Sequence, residues 1–341
     1  MEASEATKLL VNTLGAKFKL VALPWLEGFR EACCLHRVVI LCLRSEKLLV
    51  RTGQCFLLNG FIFLGSIFVL NSVVIPTLLW ILPDQCSQTV SHKLCDFGGT
   101  LKFYSFLRLG LVQLFYVFWF YPLYVFSIVL STLWYNDIAK YGYAAMGRSK
   151  STVEENTSQN SMTVENATRV KRLSGLGGVM IGIGEQVYSV LLLSVFFLEV
   201  YATGFLPYIG KVLNFLLLSW MYAYYCFEYK WNFNEVALDK RLDYFESNWA
   251  FFAGFGSPCV LAIFFLSPLV SYGIMAVLYP LFVLTATGSK AEQEISFARY
   301  KWRGAGVGRL PIFYVANNIS MWMLSFFSME HSDKVQDSKV Q

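Results

Sequence analysis

The sequence has little charge and very little histidine. Charged residues make up 15% of the chain and hydrophobic residues 56%, whereas soluble domains average about 25% and about 45–50%. The longest stretch without any charged residue runs from Ser247 to Ser289. This scarcity of charge excludes an ordinary soluble domain and indicates a polytopic membrane protein in contact with a lipid bilayer.

Sequence signatures of catalysis and metal binding are missing. The three histidines, His36, His92 and His331, lie in separate segments, and no cysteine–histidine spacing suits zinc. The glycine stretches 175–184 and 304–308 match neither a dinucleotide fingerprint nor a P-loop. We therefore expect no enzyme activity and no cofactor. The net charge of +5 is distributed over the loops between apolar segments and does not predict nucleic-acid binding.

Two uncharged stretches predict spanning helices. Cys55–Leu82 and Leu109–Trp134 are each longer than the roughly 20 residues that a span requires. The segments 83–102 and 135–177 are then loops. Residues 148–174 are predicted to be disordered, because Ser, Thr, Asn and Glu dominate them.

Two further apolar regions predict helical hairpins, because turn residues interrupt them near the middle. In the 247–289 stretch, Ser267-Pro268 separates arms 250–266 and 269–287, which rise about 25 and 28 Å as helices. The stretch 186–227 is interrupted in the same way at 204–210. Since neither tip is charged, we favour hairpins that dip into the bilayer without crossing it. Pairs of short tilted spans are the alternative.

The N-terminal residues 1–54 predict an amphipathic, interfacial segment. Four arginines recur every seven residues, which would place them on one stripe of a helix: Arg30, Arg37, Arg44 and Arg51. Apolar residues within 35–43 form another face. Such a helix suits an anionic membrane surface, or it packs on the protein's own helices. We expect three regions: this segment, a membrane domain at 55–289, and a basic segment, interfacial helix and polar tail at 290–341.

Lysine and arginine are unevenly distributed among the segments outside the membrane. Residues 1–54 carry eight and the loop 83–102 carries two, while 135–177, 228–249 and 288–309 carry six, three and five. Positive residues concentrate on the cytosolic side of membranes. The N-terminus and the three richer loops are therefore predicted to be cytosolic, and 83–102 lumenal.

The predicted lumenal loop contains two cysteines, Cys86 and Cys95. Disulfides persist in oxidising compartments, so these residues are a candidate disulfide. Two free thiols in a flexible loop are the alternative.

Three charged residues interrupt the apolar segments and are candidates for function. Arg108 lies near the start of the second span, where its side chain reaches the headgroups or lines a path. Glu199 and Lys211 are equidistant from residue 205 at the centre of the first hairpin. They are therefore predicted to pair at similar depth and pin the hairpin, with an ion or proton relay as the alternative.

Several motifs resemble the etoposide-induced 2.4 protein family, in its plant form. The resemblance covers roughly residues 50–290 and rests on Tyr225-Cys226-Phe227-Glu228-Tyr229-Lys230-Trp231, Gly254-Phe255-Gly256-Ser257-Pro258 and Trp134-Tyr135-Asn136-Asp137. It implies a eukaryotic endoplasmic-reticulum membrane protein implicated in autophagy and cell death. The candidate motif residues are Glu228, Tyr229, Gly254, Gly256 and Pro258.

More distantly, the chain resembles the bacterial sulfate permease CysZ, whose membrane part combines two long helices with partly inserted hairpins. Pro207-Tyr208-Ile209-Gly210 matches its Pro-x-Ile-Gly tip, which makes Pro207 and Gly210 motif residues. Trp231-Asn232-Phe233 replaces the expected Asp-Tyr-Pro, and the glycine-hydrophobic-arginine motif is not intact at 45–51. Gly28-Phe29-Arg30 is its nearest equivalent.

The expected fold is an all-α polytopic membrane protein with two long transmembrane helices and two helical hairpins, inserted partly or fully. The expected function is a multi-pass scaffold of the endoplasmic reticulum, with a cytosolic N-terminus, that supports autophagy. Its expected partners are autophagy or membrane-trafficking proteins, bound through the cytosolic loops. The alternative function is a channel or permease for an inorganic anion such as sulfate.

Overall fold

The computed structural model describes residues 2–81, 98–150, 176–289, 291, 295 and 308–337. Every regular element in these ranges is a helix, which confirms the all-α prediction. In chain order the helices are α1 (Glu2–Ala32), α2 (His36–Arg44), α3 (Glu46–Ile81), α4 (Gly98–Phe115 continued by Tyr116–Phe120 and Tyr121–Lys150), α5 (Leu176–Thr203), α6 (Gly210–Phe233), α7 (Leu238–Ser247), α8 (Trp249–Leu261), α9 (Pro268–Gly288) and α10 (Tyr314–Asp337).

Three helices are long and apolar enough to cross a membrane: α3, the Lys102–Gly147 part of α4, and α9. α3 and α4 contain the two predicted spans, and the chain is a multi-pass membrane protein. Both helices extend beyond the predicted limits, because polarity marks where a helix leaves the bilayer and not where it ends. The loop predicted to begin at Tyr135 is therefore helical as far as Lys150, and this prediction was wrong. Residues 151–175 lie outside the described ranges.

Both spanning helices contain π-helical turns that the sequence pattern did not predict. Leu70–Val74 in α3 ends two residues before Pro76, and Tyr116–Phe120 in α4 ends two residues before Pro122. Proline has no N–H to bond the carbonyl four residues earlier. We attribute both π turns to this missing bond, which the preceding backbone accommodates by widening.

The N-terminal segment is divided into three helices. α1 ends at Ala32 and α2 ends at Arg44. Ser45 is extended, and its side chain accepts from the Leu48 N–H to cap α3. The four arginines are consequently shared among three helices. The prediction of one continuous basic stripe was wrong, because a seven-residue spacing of arginines does not show where a helix is interrupted.

The first predicted hairpin contains α5 and α6, which pack on each other, and the stretch of the second contains α8 and α9. Residues 204–209 join the first pair and residues 262–267 the second, and α9 begins at the predicted Pro268. α8 has 13 residues and ends five residues before the predicted limit of its arm. It rises only about 20 Å, which is less than the roughly 30 Å hydrocarbon core of a bilayer.

The described residues form two compact units. Unit 1 draws on residues 1–37, 143–260 and 285–341, and unit 2 on residues 38–142 and 261–284. Unit 1 contains the α5–α6 hairpin, α7, α8 and α10, and unit 2 contains α3 and most of α4 and α9. The predicted region limits at 54 and 289 concern exposure to the membrane, and they stay predictions.

The core of unit 2 is an aromatic cluster between α3, α4 and α9. Phe63, Leu70 and Phe120 are buried in it, and the Tyr272 ring lies 5.4 Å from that of Phe63. A Cβ on Gly273 would collide with the Leu64 side chain, so α9 approaches α3 closely because this position is glycine.

Candidate functional site

Glycines set the packing of α8 within unit 1. A Cβ on Gly254 would collide with the Trp25 carbonyl oxygen in α1, and a Cβ on Gly256 with the Ser219 carbonyl oxygen in α6. A Cβ on Gly28 in α1 would likewise collide with the Phe251 carbonyl oxygen in α8. Helix backbones approach this closely only where residues are small. The glycines of the sequence motif therefore hold α8 between α1 and α6, and Pro258 lies half-buried directly after them.

A buried aromatic cluster joins α6, α7, α8 and the residue before α10. Phe245 stacks on Phe252 with ring centroids 4.3 Å apart, and Phe227 lies edge-on to Phe252 at 5.2 Å. Tyr224 contacts Phe313 at 5.3 Å. Aromatic contacts of this kind add stabilisation beyond their buried area. The segment that leads into α10 is thus part of the core of unit 1.

An ionic clamp, formed by Asp243, Glu246 and Arg309, lies beside this aromatic cluster. The Glu246 side chain is only 5% exposed. It accepts from Arg309 Nε at 2.8 Å, from Arg309 Nη2 at 2.7 Å and from the Phe313 backbone N–H at 3.0 Å. Asp243 pairs with Arg309 Nη1 at 2.7 Å. The bonds to Glu246 raise the pKa of Arg309, so its charge persists at every physiological pH. The clamp fixes the segment before α10 against α7.

The Glu-Tyr-Lys part of the motif lies at the end of α6. Lys230 is buried and donates from Nζ to the Ser289 carbonyl oxygen at 3.1 Å, which ties α6 to the end of α9. Tyr229 is half-buried. Burial raises the pKa of Glu228, and the nearby Arg241 guanidinium lowers it. These residues hold helix ends together, as the glycines do.

The tip of the first hairpin satisfies its own backbone. The N–H groups of residues 204, 205 and 206 donate to the carbonyls of residues 201, 202 and 203, and the Ile209 N–H donates to the Pro207 carbonyl. Tyr208 has a φ of 61° and is 98% exposed. A Cβ on Gly210 would lie 2.7 Å from the Thr203 carbonyl oxygen, so only glycine allows the return of the chain. The tip therefore presents apolar side chains while bonding its N–H groups internally.

Glu199 and Lys211 do not form the predicted ion pair, although the structure describes both side chains. The Asn214 side chain donates to the Val200 carbonyl at 2.7 Å, so the centre of the hairpin is Pro207 and not residue 205. Lys211 is consequently placed about one helical turn nearer the tip than Glu199, and it is exposed. The Glu199 Oε2 atom is buried and without a hydrogen-bond partner.

The buried polar groups of unit 2 converge on Asn59 of α3. Its Nδ2 donates to Ser131 Oγ at 2.9 Å and to the Cys55 carbonyl at 3.1 Å, and its Oδ1 accepts from the Ser127 hydroxyl. The Tyr272 hydroxyl lies 3.1 Å from Ser127 Oγ. Such bonds satisfy polar groups that lipid cannot hydrate. The sequence alone gives no partner for Asn59.

Arginine side chains of units 1 and 2 pair with acids that the sequence did not indicate. Arg51 lies 3.3 Å from Asp137, and Arg37 Nη1 lies 2.6 Å from Glu31, whose side chain is buried. Arg108 is half-buried in α4 and has interactions of its own. The sequence around a charged residue does not show which residue of opposite charge it will contact, so these pairs could not be predicted locally.

Six cysteines in the described ranges are free thiols: Cys33, Cys34, Cys42, Cys55, Cys226 and Cys259. Cys86 and Cys95 lie outside those ranges, so their disulfide stays a prediction. No group of three or more metal-ligating side chains comes together among the described residues.

Comparison with known proteins gives the chain's relatives. A family model described as "Sulfate transporter CysZ/Etoposide-induced protein 2.4" matches residues 34–280. A protein named "Protein EI24 homolog" from Arabidopsis thaliana is 65% identical over 316 residues, which cover 92% of this chain and 98% of that protein. No solved structure matches the chain.

Two more distant relatives extend the comparison. A protein from Dictyostelium discoideum, also named "Protein EI24 homolog", is 27% identical over 94% of this chain and 90% of its own length. "Ectopic P granules protein 4" of Caenorhabditis elegans is 26% identical over 181 residues, 51% of this chain and 50% of that protein. Similarity to the first two extends over nearly the whole chain.

Proposed function

We propose, from the premise that the chain belongs to the EI24 family, that it is an endoplasmic-reticulum scaffold that supports autophagy. In this proposal its N-terminus is cytosolic, and its cytosolic loops bind autophagy or membrane-trafficking proteins. The resemblance to the family implies the compartment and the process. The uneven distribution of lysine and arginine supports the orientation.

The observation that carries the scaffold role is how the buried polar groups are used. In unit 2, the Asn59 amide donates to Ser131 of α4 and to the Cys55 carbonyl of its own helix, and its carbonyl oxygen accepts from Ser127 of α4. In unit 1, Glu246 and Lys230 bind backbone or side chains of adjacent segments. Polar groups that bond to one another fix helices in place, whereas groups along a conduction path must exchange partners with a solute. This arrangement favours a rigid platform.

The depth of the first hairpin supports insertion from one side of the membrane. The ionic clamp marks an aqueous level, because Asp243 and Arg309 are 61% and 56% exposed and charged. Phe313, which binds the clamp through its N–H, contacts Phe196 at 4.9 Å. From Phe196 to its end at Thr203, α5 rises only about 10 Å, and the four turn residues to Pro207 bring the total to about 16 Å at the same rise per residue, roughly half of the hydrocarbon core. A hairpin of this depth returns to the side from which it entered.

The anion alternative has less support. Gly28-Phe29-Arg30 is the nearest equivalent of the glycine-hydrophobic-arginine motif, but Gly28 is occupied by its contact with the Phe251 carbonyl. Arg30 is bonded to Glu27 on the same helix. An anion needs donors that are not already used. Nor do Glu199 and Lys211 meet to form a relay.

The scaffold proposal is tested in cells that lack their own EI24 family member. The full chain should restore autophagic degradation of a membrane marker. Replacing residues 151–175 by a scrambled sequence of equal length and composition should abolish the rescue while leaving protein level and location unchanged. Full rescue by the scrambled variant, together with sulfate flux into liposomes carrying the purified chain, would refute the scaffold proposal and support the permease alternative.

A further inference from the structure

α2 has an apolar face that the scaffold role does not use. Its buried side is formed by Val38, Leu41 and Cys42. On the opposite half of the helix, Val39, Ile40 and Leu43 are 58%, 44% and 77% exposed. The four-residue spacing of Val39 and Leu43 places them in one row along the helix. We call this row with Ile40 the α2 face.

The position of α2 places this face at the edge of the bilayer. The extended Ser45 separates α2 from α3, which continues as a spanning helix. The Cys42 thiol lies beside the Thr52 hydroxyl of α3, and both residues are buried. α2 therefore folds back to the level of Thr52, about 5 Å along the helix axis from Cys55, where the uncharged stretch begins. Exposed side chains further along α3, such as Leu57 and Phe61, must contact lipid.

The charges around α2 show which property of the membrane it would recognise. Arg37 of α2 is bonded to the Glu31 carboxylate, so its charge is neutralised by an acid. Arg44, at the end of α2, is the exposed arginine of this helix. A helix with a full apolar face but few free bases binds through apolar insertion more than through anionic headgroups. Insertion of this kind is favoured where lipid packing is loose.

We propose that the α2 face inserts into the cytosolic leaflet and makes the protein accumulate on highly curved membranes. The inference rests on the proposed orientation, in which the first hairpin also enters from this side. Both elements add volume to one leaflet and little to the other. Insertion into one leaflet costs less free energy where that leaflet lies on the convex side of a curved membrane and its lipids are spread apart. The occupant of the α2 face is thus a curved, loosely packed lipid surface.

The test uses the purified full chain reconstituted into vesicles of neutral lipids with mixed diameters. A membrane-impermeant dye on an N-terminal tag marks only molecules whose N-terminus faces outward. Their density per membrane area should be about threefold higher on vesicles of about 50 nm than on vesicles of about 300 nm. Val39→Ser with Leu43→Ser should remove this preference. Val39→Leu with Leu43→Ile keeps the face apolar and should retain it.

Three results would overturn the proposal. One is a density that does not depend on diameter for the unchanged chain. Another is an equal preference in the serine variant, and the third is a preference that appears only when anionic lipid is added. Labelling of a cysteine at position 208 by impermeant thiol reagents distinguishes the causes. No labelling from either face, with a flat density profile, refutes curvature preference alone. Labelling from the lumenal side refutes the shallow hairpin as well.

Discussion

The ionic clamp gives the sharpest stability prediction. Arg309→Ala removes two of the three bonds to the Glu246 carboxylate and leaves it with the Phe313 N–H at 3.0 Å. Hydrogen bonds to charged groups contribute about 1.5–3 kcal/mol each. Solvent screens the arginine, which is 56% exposed. We therefore expect a loss of about 1–2 kcal/mol.

Substitutions of the other two members of the clamp should rank on either side of this value. Glu246→Ala also leaves the buried Phe313 N–H without its acceptor, so it should cost about 2–4 kcal/mol. Asp243→Ala breaks only an exposed pair and should cost less than about 0.5 kcal/mol. Because the pKa of Arg309 is raised, its contribution to the free energy of unfolding is fully present at any pH below the ordinary pKa of arginine. The ranking should therefore hold from about pH 6 to pH 9.

The assay is pulse proteolysis of the full chain in detergent micelles across a denaturant series. A double-mutant cycle with Glu246→Gln and Arg309→Ala should give a coupling free energy of about 1 kcal/mol. Glu246→Gln keeps an acceptor for Phe313, so the cycle isolates the charged pair. Strict additivity, or a cost for Asp243→Ala equal to that of Glu246→Ala, would refute the reasoning.

Three further predictions concern other contacts. Gly254→Ala should destabilise the protein by more than about 2 kcal/mol. The matched control Gly65→Ala, with no atoms within 4 Å of the added Cβ, should change stability by less than about 1 kcal/mol. Equal effects in pulse proteolysis would contradict the close crossing of α8 and α1. Asn59→Leu should cost about 1–3 kcal/mol in the same assay, because two hydroxyls lose a partner, and a neutral result would show that this network adds nothing. Burial raises the pKa of Glu228, so the folded state holds its proton after the unfolded state has lost it, and stability falls as pH rises from the ordinary pKa of glutamate to the raised one. Glu228→Gln should remove this fall in thermal unfolding, and an unchanged fall would assign it to another group.

The sequence predicts the membrane helices well, because each depends on a local property. Lack of charge defines the spans in α3 and α4, and Pro268 defines the start of α9. Proline and glycine around position 207 similarly indicate the turn of the first hairpin. These features are encoded within about 20 consecutive residues.

Features that depend on distant partners were not predictable in this way. Glu246 and Arg309 are far apart in the chain, and the sequence near either residue does not indicate that they pair. The pairing of Glu199 with Lys211 failed because it required the exact centre of the turn, which the Asn214 bond places two residues later than predicted. The glycines of the motif were identified, but their role as close helix crossings depends on Trp25 and Ser219 in other helices.

We propose that the first hairpin enters the membrane from the cytosolic face and stops within it. A nitroxide attached at Tyr208→Cys, in a chain whose other cysteines are replaced by serine, measures the depth of the tip through its relative accessibility to oxygen and to a polar nickel complex. The tip should report a depth of about 15 Å, near the bilayer centre, while a label at the exposed Lys240 of α7 should report the aqueous phase. A label at 208 that is as accessible to the nickel complex as one at 240 would contradict the account.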